Sequence, residues 1–205
     1  MKQDMSNARQ CEFDTVAVLN VAVRSFWYRG YKATTVRQIS RSAGIESKWI
    51  YQAFGDKRTL FKKVLAHHLT QNFDERVLRM SQLPPREAIA CFLEEIVERS
   101  LHDEYRKGCL LVNSAIEIAR EDRELNDVVA NVFVKMEDFF RACIERGQAS
   151  GEIARGWPAE DLARMFLGTL LGILVLARTK PERPLFEGMV RQAMAVLDIG
   201  SAHGS

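Results

Sequence analysis

No run of alternating β-branched and polar residues bounded by turn residues occurs along the 205 residues, which removes the usual signature of a half-buried strand. Proline is sparse, at five residues, and with 47% hydrophobic and 27% charged residues this excludes a disordered or collagenous chain. Cysteine is scarce as well. Cys11, Cys91, Cys109 and Cys143 stand far apart, with no C-x-x-C pair and no histidine at ligand spacing, so neither a disulfide framework nor a zinc site is encoded and reduced thiols are expected. The longest apolar run, Met165 to Ala177, is interrupted by Gly168, Thr169 and Gly172 and falls short of the ~18–20 residues that cross a bilayer, so a buried helix is expected and no membrane partner. Met1 to Asp14 mixes polar and charged residues without the apolar core of a signal peptide, and a cytoplasmic protein is expected. Paired Glu-x-x-His motifs, a nucleotide-binding glycine loop and a nucleophile elbow are all missing. A helical-bundle enzyme, the contrasting class, would need one of them, so the expectation is a non-enzyme with no cofactor and no metal.

What is present is an uneven charge. The net +2 hides a block from Arg24 to Lys63 with ten Lys/Arg (Arg24, Arg29, Lys32, Arg37, Arg41, Lys48, Lys57, Arg58, Lys62, Lys63) against Glu46 and Asp56, a local +8 that leaves −6 for the remainder. Such a block either meets a polyanion or is a solvated surface that happens to be basic.

Apolar residues recur at three- and four-residue spacing almost throughout, which predicts an all-α fold of about nine helices. Asp14 is placed to cap a helix to Arg29 with Val18, Leu19, Ala22 and Phe26 on one face, and Gly30 to stop it. Thr35 caps a short helix through Ser42, Gly44 turns the chain, and a second short helix runs from Ser47 to Phe54. Asp56 caps a long helix reaching Ser81, striped by Leu60, Phe61, Val64, Leu65 and Leu69 and ended by Pro84-Pro85. Further helices are predicted at Arg86–Leu101, Gly108–Arg120, Glu124–Gly147, Ala159–Lys180 and Leu185–Leu197. The expected division is a three-helix domain over residues 12–65 and a helical bundle over residues 66–200.

Two short helices joined by a glycine turn, behind a longer helix and inside the basic block, form a helix-turn-helix whose second helix enters the major groove. Packing demands small or apolar residues at Val36, Ile39, Ala43, Ile45, Ile50 and Phe54, and all six comply. The run from Phe26-Trp27-Tyr28-Arg29-Gly30-Tyr31 through Thr34-Thr35-Val36-Arg37-Gln38-Ile39, then Ala43-Gly44-Ile45, Ile50-Tyr51-Gln52-Ala53-Phe54-Gly55-Asp56-Lys57 and Leu60-Phe61, resembles the DNA-binding domain of the tetracycline-repressor (TetR) family over about Val18 to Leu65. The resemblance implies a homodimeric repressor of a palindromic double-stranded DNA operator, released by an unidentified small effector held in the C-terminal helices. A second run, Gly108-Cys109-Leu110-Leu111-Val112-Asn113 with Glu117, resembles a segment of one subset of these regulators.

Matching positions carry expected roles. Thr34 and Thr35 can offer hydroxyl and backbone N–H groups to a phosphate, Tyr51 matches the family's phosphate-contacting tyrosine, and Lys57 opens a helix whose N-terminus favours the same anion. Arg37 and Arg41 add backbone contacts. Base readout falls to Ser47, Lys48, Trp49 and Gln52, since Lys suits guanine and Gln suits adenine. Two positions depart from the family's pattern: Trp49 stands where a small residue is usual, and either stacks on thymine methyl or deoxyribose or packs locally, while Glu46 puts an acid at the helix start.

In the C-terminal part, the 159–180 helix is apolar nearly all round and the last helix carries Phe186, Met189, Val190, Met194 and Leu197. Together they make either a four-helix dimer interface or an internal core, and Gly168 and Gly172, which permit close helix approach, point to the interface. Cys109, Asn113 and Glu117 share one helical face and point either into an effector cavity walled by Phe133, Met136, Phe140 and Phe166 or to solvent. Cys109 beside Lys107 is either a redox-sensing thiol, an alternative mode of regulation, or an inert buried one.

Overall fold

The computed structural model describes the backbone of residues 2–118 and 122–199, with side chains from residue 15 onward. Among the described residues all regular structure is helical: α1 (Lys2–Ala33), α2 (Val36–Ala43), α3 (Ser47–Phe54), α4 (Lys57–Leu69), a π-turn (Thr70–Asp74), α5 (Glu75–Met80), α6 (Pro85–Leu101), α7 (Leu110–Ile118), α8 (Arg123–Ser150), α9 (Ala159–Leu176), α10 (Arg183–Ala195) and a closing 3₁₀ turn (Val196–Asp198). Two expectations change. The first helix begins at Lys2, so Asp14 lies inside it and does not cap it; Gly30, with φ 82° and ψ 170°, bends its last turn and does not end it outright. The helix expected to run unbroken to Ser81 widens into the π-turn at Thr70–Asp74.

The chain divides into two compact units. One extends to Gln71 and takes in Asn113–Val129; the other holds Asn72–Val112 and everything from Ala130. In the first, α1 packs on α2 and α4, and α3 on α2 and α4. Val18, Phe26, Val36, Ile39, Ile50, Phe54, Leu60, Phe61 and Val64 are buried, each contributing about 1.5–3 kcal/mol of hydrophobic stabilisation, with the smaller Ala22 packed among them. Phe61 anchors this core, its ring centroid 4.7 Å from that of Phe26 in an edge arrangement and 4.7 Å from that of Tyr31.

In the second unit α6, α9 and α10 pack on one another. Its centre is aromatic, with Phe140 5.4 Å from Phe92, 5.4 Å from Phe139 and 5.6 Å from Phe166. Gly172 meets Met189 of α10, whose Cε stands 3.1 Å from where a Cβ would be, so this glycine serves the internal α9–α10 contact. Gly168 faces open space.

Candidate nucleic-acid interface

The helix-turn-helix is built from local hydrogen bonds. Thr35 Oγ1 accepts the Gln38 N–H at 3.2 Å while Gln38 Oε1 accepts the Thr35 N–H at 2.8 Å, a reciprocal cap that fixes where α2 starts. Gly44 closes α2 in the left-handed region at φ 68°, a conformation that costs a Cβ-bearing residue about 1–2 kcal/mol. The Ile45 N–H then donates to Ser40 O at 3.1 Å, and the Ser40 and Ser47 hydroxyls share a 2.8 Å bond across the turn. These contacts tie the start of α3 to the body of α2.

On α3, Ile50 and Phe54 point into the core. Helical spacing then turns Lys48, Tyr51 and Gln52 outward, and all three are exposed. Ser47 and Trp49 are half-buried, and the Trp49 ring meets Phe54 at 6.4 Å in an edge arrangement, so it packs locally. Glu46 caps α3 through its backbone only, its carbonyl accepting the Trp49 N–H at 3.0 Å. Beside α3 lies a partly open cleft of about 540 Å³ walled by Val18, Val21, Ile45, Lys48, Trp49 and Gln52 among others.

Thr35, Arg37 and Arg41 are exposed along α2 and its cap. Thr34 is not: it is 0% exposed, and its hydroxyl donates to Gly30 O at 2.7 Å and Ser25 O at 3.2 Å. The phosphate-facing hydroxyl expected here is therefore an internal tie between the bend of α1 and the start of α2. Asp56 caps α4 by accepting the Thr59 N–H at 2.7 Å, which holds its carboxyl below the usual value. Lys57 lies 4.4 Å over the Tyr31 ring and donates to Lys32 O at 3.2 Å. Burial lowers the ammonium's affinity for its proton and the nearby Glu117 raises it.

Sequence reasoning missed the acids that hold this unit. Glu117 Oε2 accepts the Tyr31 N–H at 2.8 Å and Oε1 the Lys32 N–H at 2.6 Å. Asp122 takes Arg58 in a two-point bond of 2.5 and 2.6 Å and accepts the Leu125 N–H at 3.0 Å, which keeps its carboxyl at about 2. Glu124 pairs with Arg58 at 2.7 Å and with Lys62. No local signal marks these partners, which lie more than sixty positions apart in the chain.

The residues expected around an effector are dispersed in role. Glu117 engages the α1 backbone and so leaves the set expected to face a cavity. Phe140 and Phe166 are both 0% exposed and stacked on each other, Met136 is buried, and Phe133 and Asn113 are half-buried. Cys109 is 5% exposed, and burial pushes its thiol pKa up against the opposing pull of the Val112 and Leu111 N–H groups and Arg99.

Two family profiles match the chain: "Bacterial regulatory proteins, tetR family" over residues 18–64 and "Tetracyclin repressor-like, C-terminal domain" over residues 85–193. The HTH-type transcriptional regulator YezE of Bacillus subtilis (strain 168) is 28% identical over 193 residues, covering 93% of this chain and 99% of its own. The HTH-type transcriptional repressor ComR of Escherichia coli (strain K12) is 23% identical over 84% of this chain and 83% of its own. In three dimensions the TetR family regulator CifR, solved as a cysteine mutant on 26 base pairs of operator DNA, superposes with a TM-score of 0.80 at 30% identity, covering 88% of this chain and 95% of that one. A capped helix-turn-helix with an outward polar row, followed by a helical bundle and matched by both profiles, makes this chain a member of the TetR family of transcriptional regulators.

Proposed function

We propose that this regulator is a cytoplasmic repressor that binds a palindromic DNA operator as a homodimer and leaves it when a small effector occupies the helical bundle. The observation that carries the reading is the outward row Lys48, Tyr51 and Gln52 on a helix whose opposite face is buried, inside a block of net +8. Lys48 and Gln52, with Ser47 beside them, read base edges in the major groove, and Thr35, Arg37, Tyr51 and Lys57 hold phosphates on either side. The reading domain is residues 12–65 and the effector and dimer domain residues 66–200. CifR, similar over most of its length, is solved on operator DNA, which supports the same partner for this chain.

Dimerisation is assigned to α9 and α10. Support comes from Val175, 45% exposed, and from Gly168, beside which a Cβ would meet nothing, both on α9. A second copy against this flank would pack helix to helix around a two-fold axis. The effector acts on the bundle around Phe133, Met136, Phe140 and Phe166. A thiol-based switch at Cys109 has less support, because the sulfur is buried and its pKa raised.

The test is operator binding by a gel shift on a duplex that the wild-type protein enriches from a random-sequence pool. Lys48→Ala and Gln52→Ala are each expected to cost about 1–3 kcal/mol of specific affinity. Wild-type affinity in both variants would remove the reading surface from α3, and a monomer in sedimentation equilibrium would remove the dimer.

A further inference from the structure

We infer that Glu117 is a positioning residue for operator binding: its carboxylate clasps the bend at Gly30 and thereby sets the start of α2 and the ammonium of Lys57. The inference rests on the operator-binding reading above. Gly30 has φ +82°, and a Cβ built on it would stand 2.7 Å from Glu117 Oε2, so carboxylate and backbone meet at a distance only glycine admits. The next two residues turn consecutive N–H groups toward the same acid, Tyr31 to Oε2 at 2.8 Å and Lys32 to Oε1 at 2.6 Å. Adjacent amides of this kind form an anion-binding concavity, and bonds to an ionised acceptor are roughly twice as strong as neutral ones.

The backbone held by the clasp leads directly to Thr35 and Lys57, which the operator-binding reading places on phosphates. Gly30 O receives the Thr34 hydroxyl, Lys32 O receives Lys57 Nζ, and the Tyr31 ring lies beneath that ammonium. Thr35, next in the chain, caps α2. The carboxylate thus fixes the carbonyls to which Thr34 and Lys57 are bonded, without being placed to touch DNA itself. A second fastening follows in the same unit, where Asp122 and Glu124 grip Arg58 and Lys62 in the first turns of α4. Segment 113–129 therefore buttresses the reading domain from within the same compact unit, although it lies far along the sequence from the helix-turn-helix.

The experiment uses the full chain and the duplex enriched by the wild-type protein, with Glu117→Ala and Glu117→Gln. In the DNA-free protein, Glu117→Ala is expected to speed hydrogen exchange at the Tyr31 and Lys32 amides. With DNA, its operator Kd is expected to rise roughly tenfold, the loss of a charge-assisted hydrogen bond, and random duplex shares in the loss because a phosphate contact is not sequence-specific. The salt slope of operator binding should fall by about one as Lys57 leaves its phosphate. Glu117→Gln, which keeps one acceptor oxygen, should fall between wild type and alanine, a graded rescue that a general loss of stability would not give. Operator affinity unchanged in Glu117→Ala, or a salt slope left at the wild-type value, overturns the inference. If the alanine variant fails to fold, Glu117→Gln decides: weakened operator binding supports the clasp and unchanged binding overturns it. Wild-type protein without affinity for any duplex overturns the regulator reading and the inference with it, an outcome distinct from wild-type binding that Glu117→Ala leaves intact.

Discussion

Replacing Thr34 by valine separates two roles that a threonine at the start of a helix-turn-helix can have. The side chain is fully buried and its hydroxyl is shared between Gly30 O at 2.7 Å and Ser25 O at 3.2 Å. Valine keeps the shape and removes the donor. The loss is one net hydrogen bond, about 1 kcal/mol, plus part of the penalty of about 1–3 kcal/mol for leaving a buried carbonyl without a partner, so a destabilisation near 2 kcal/mol is expected. For a chain of this size that lowers Tm by about 4–8 °C, readable by calorimetry or by a urea melt with unchanged slope. Because the hydroxyl faces inward, the salt slope of DNA binding should stay at its wild-type value. Lys57→Gln provides the contrast, with a slope reduced by about one unit. A valine variant of wild-type stability that lost a unit of slope would show the hydroxyl on a phosphate and refute the reasoning.

Acid should unfasten Arg58 from Asp122. A carboxyl held at about 2 against an ordinary 3.8 contributes stability that is present in full above the ordinary value and lost as pH falls toward the lower one. Thermal melts between pH 5 and 2 should therefore show a steeper acid-dependent loss than those of Asp122→Asn, and identical profiles would remove the pair from the account. Alkylation should find Cys91, half-buried, before Cys109, and Cys109 should react only as the chain unfolds; rapid modification of native Cys109 would reopen the thiol-switch alternative.

The helix-turn-helix was legible because its determinants are local. The Thr35 and Gln38 cap, the left-handed Gly44 and the Asp56 cap each act within four residues, so spacing alone places α2, α3 and the start of α4. The burial of Val36, Ile39, Ile50 and Phe54 follows from the same helical period. What local pattern could not place is what depends on distant chain. Thr34 and Thr35 are identical in sequence, and only the carbonyls of α1 decide which hydroxyl turns inward. Glu117, read from helical periodicity as a polar group facing either a cavity or solvent, is claimed by amides 85 and 86 positions away. The π-turn at Thr70–Asp74 has no glycine or proline to mark it, and α1 extends upstream past the residue that resembled its cap.

Of the ten cations between Arg24 and Lys63, Arg58 and Lys62 are neutralised in place by Asp122 and Glu124, so the field projected into solvent comes from the other eight and is partly offset by Glu46 and Asp56. With a Debye length of about 8 Å at physiological ionic strength, that field guides an approaching polyanion only over the final nanometre. Within that range it still speeds capture, and target search then proceeds by weak landing and sliding along whatever duplex is nearest.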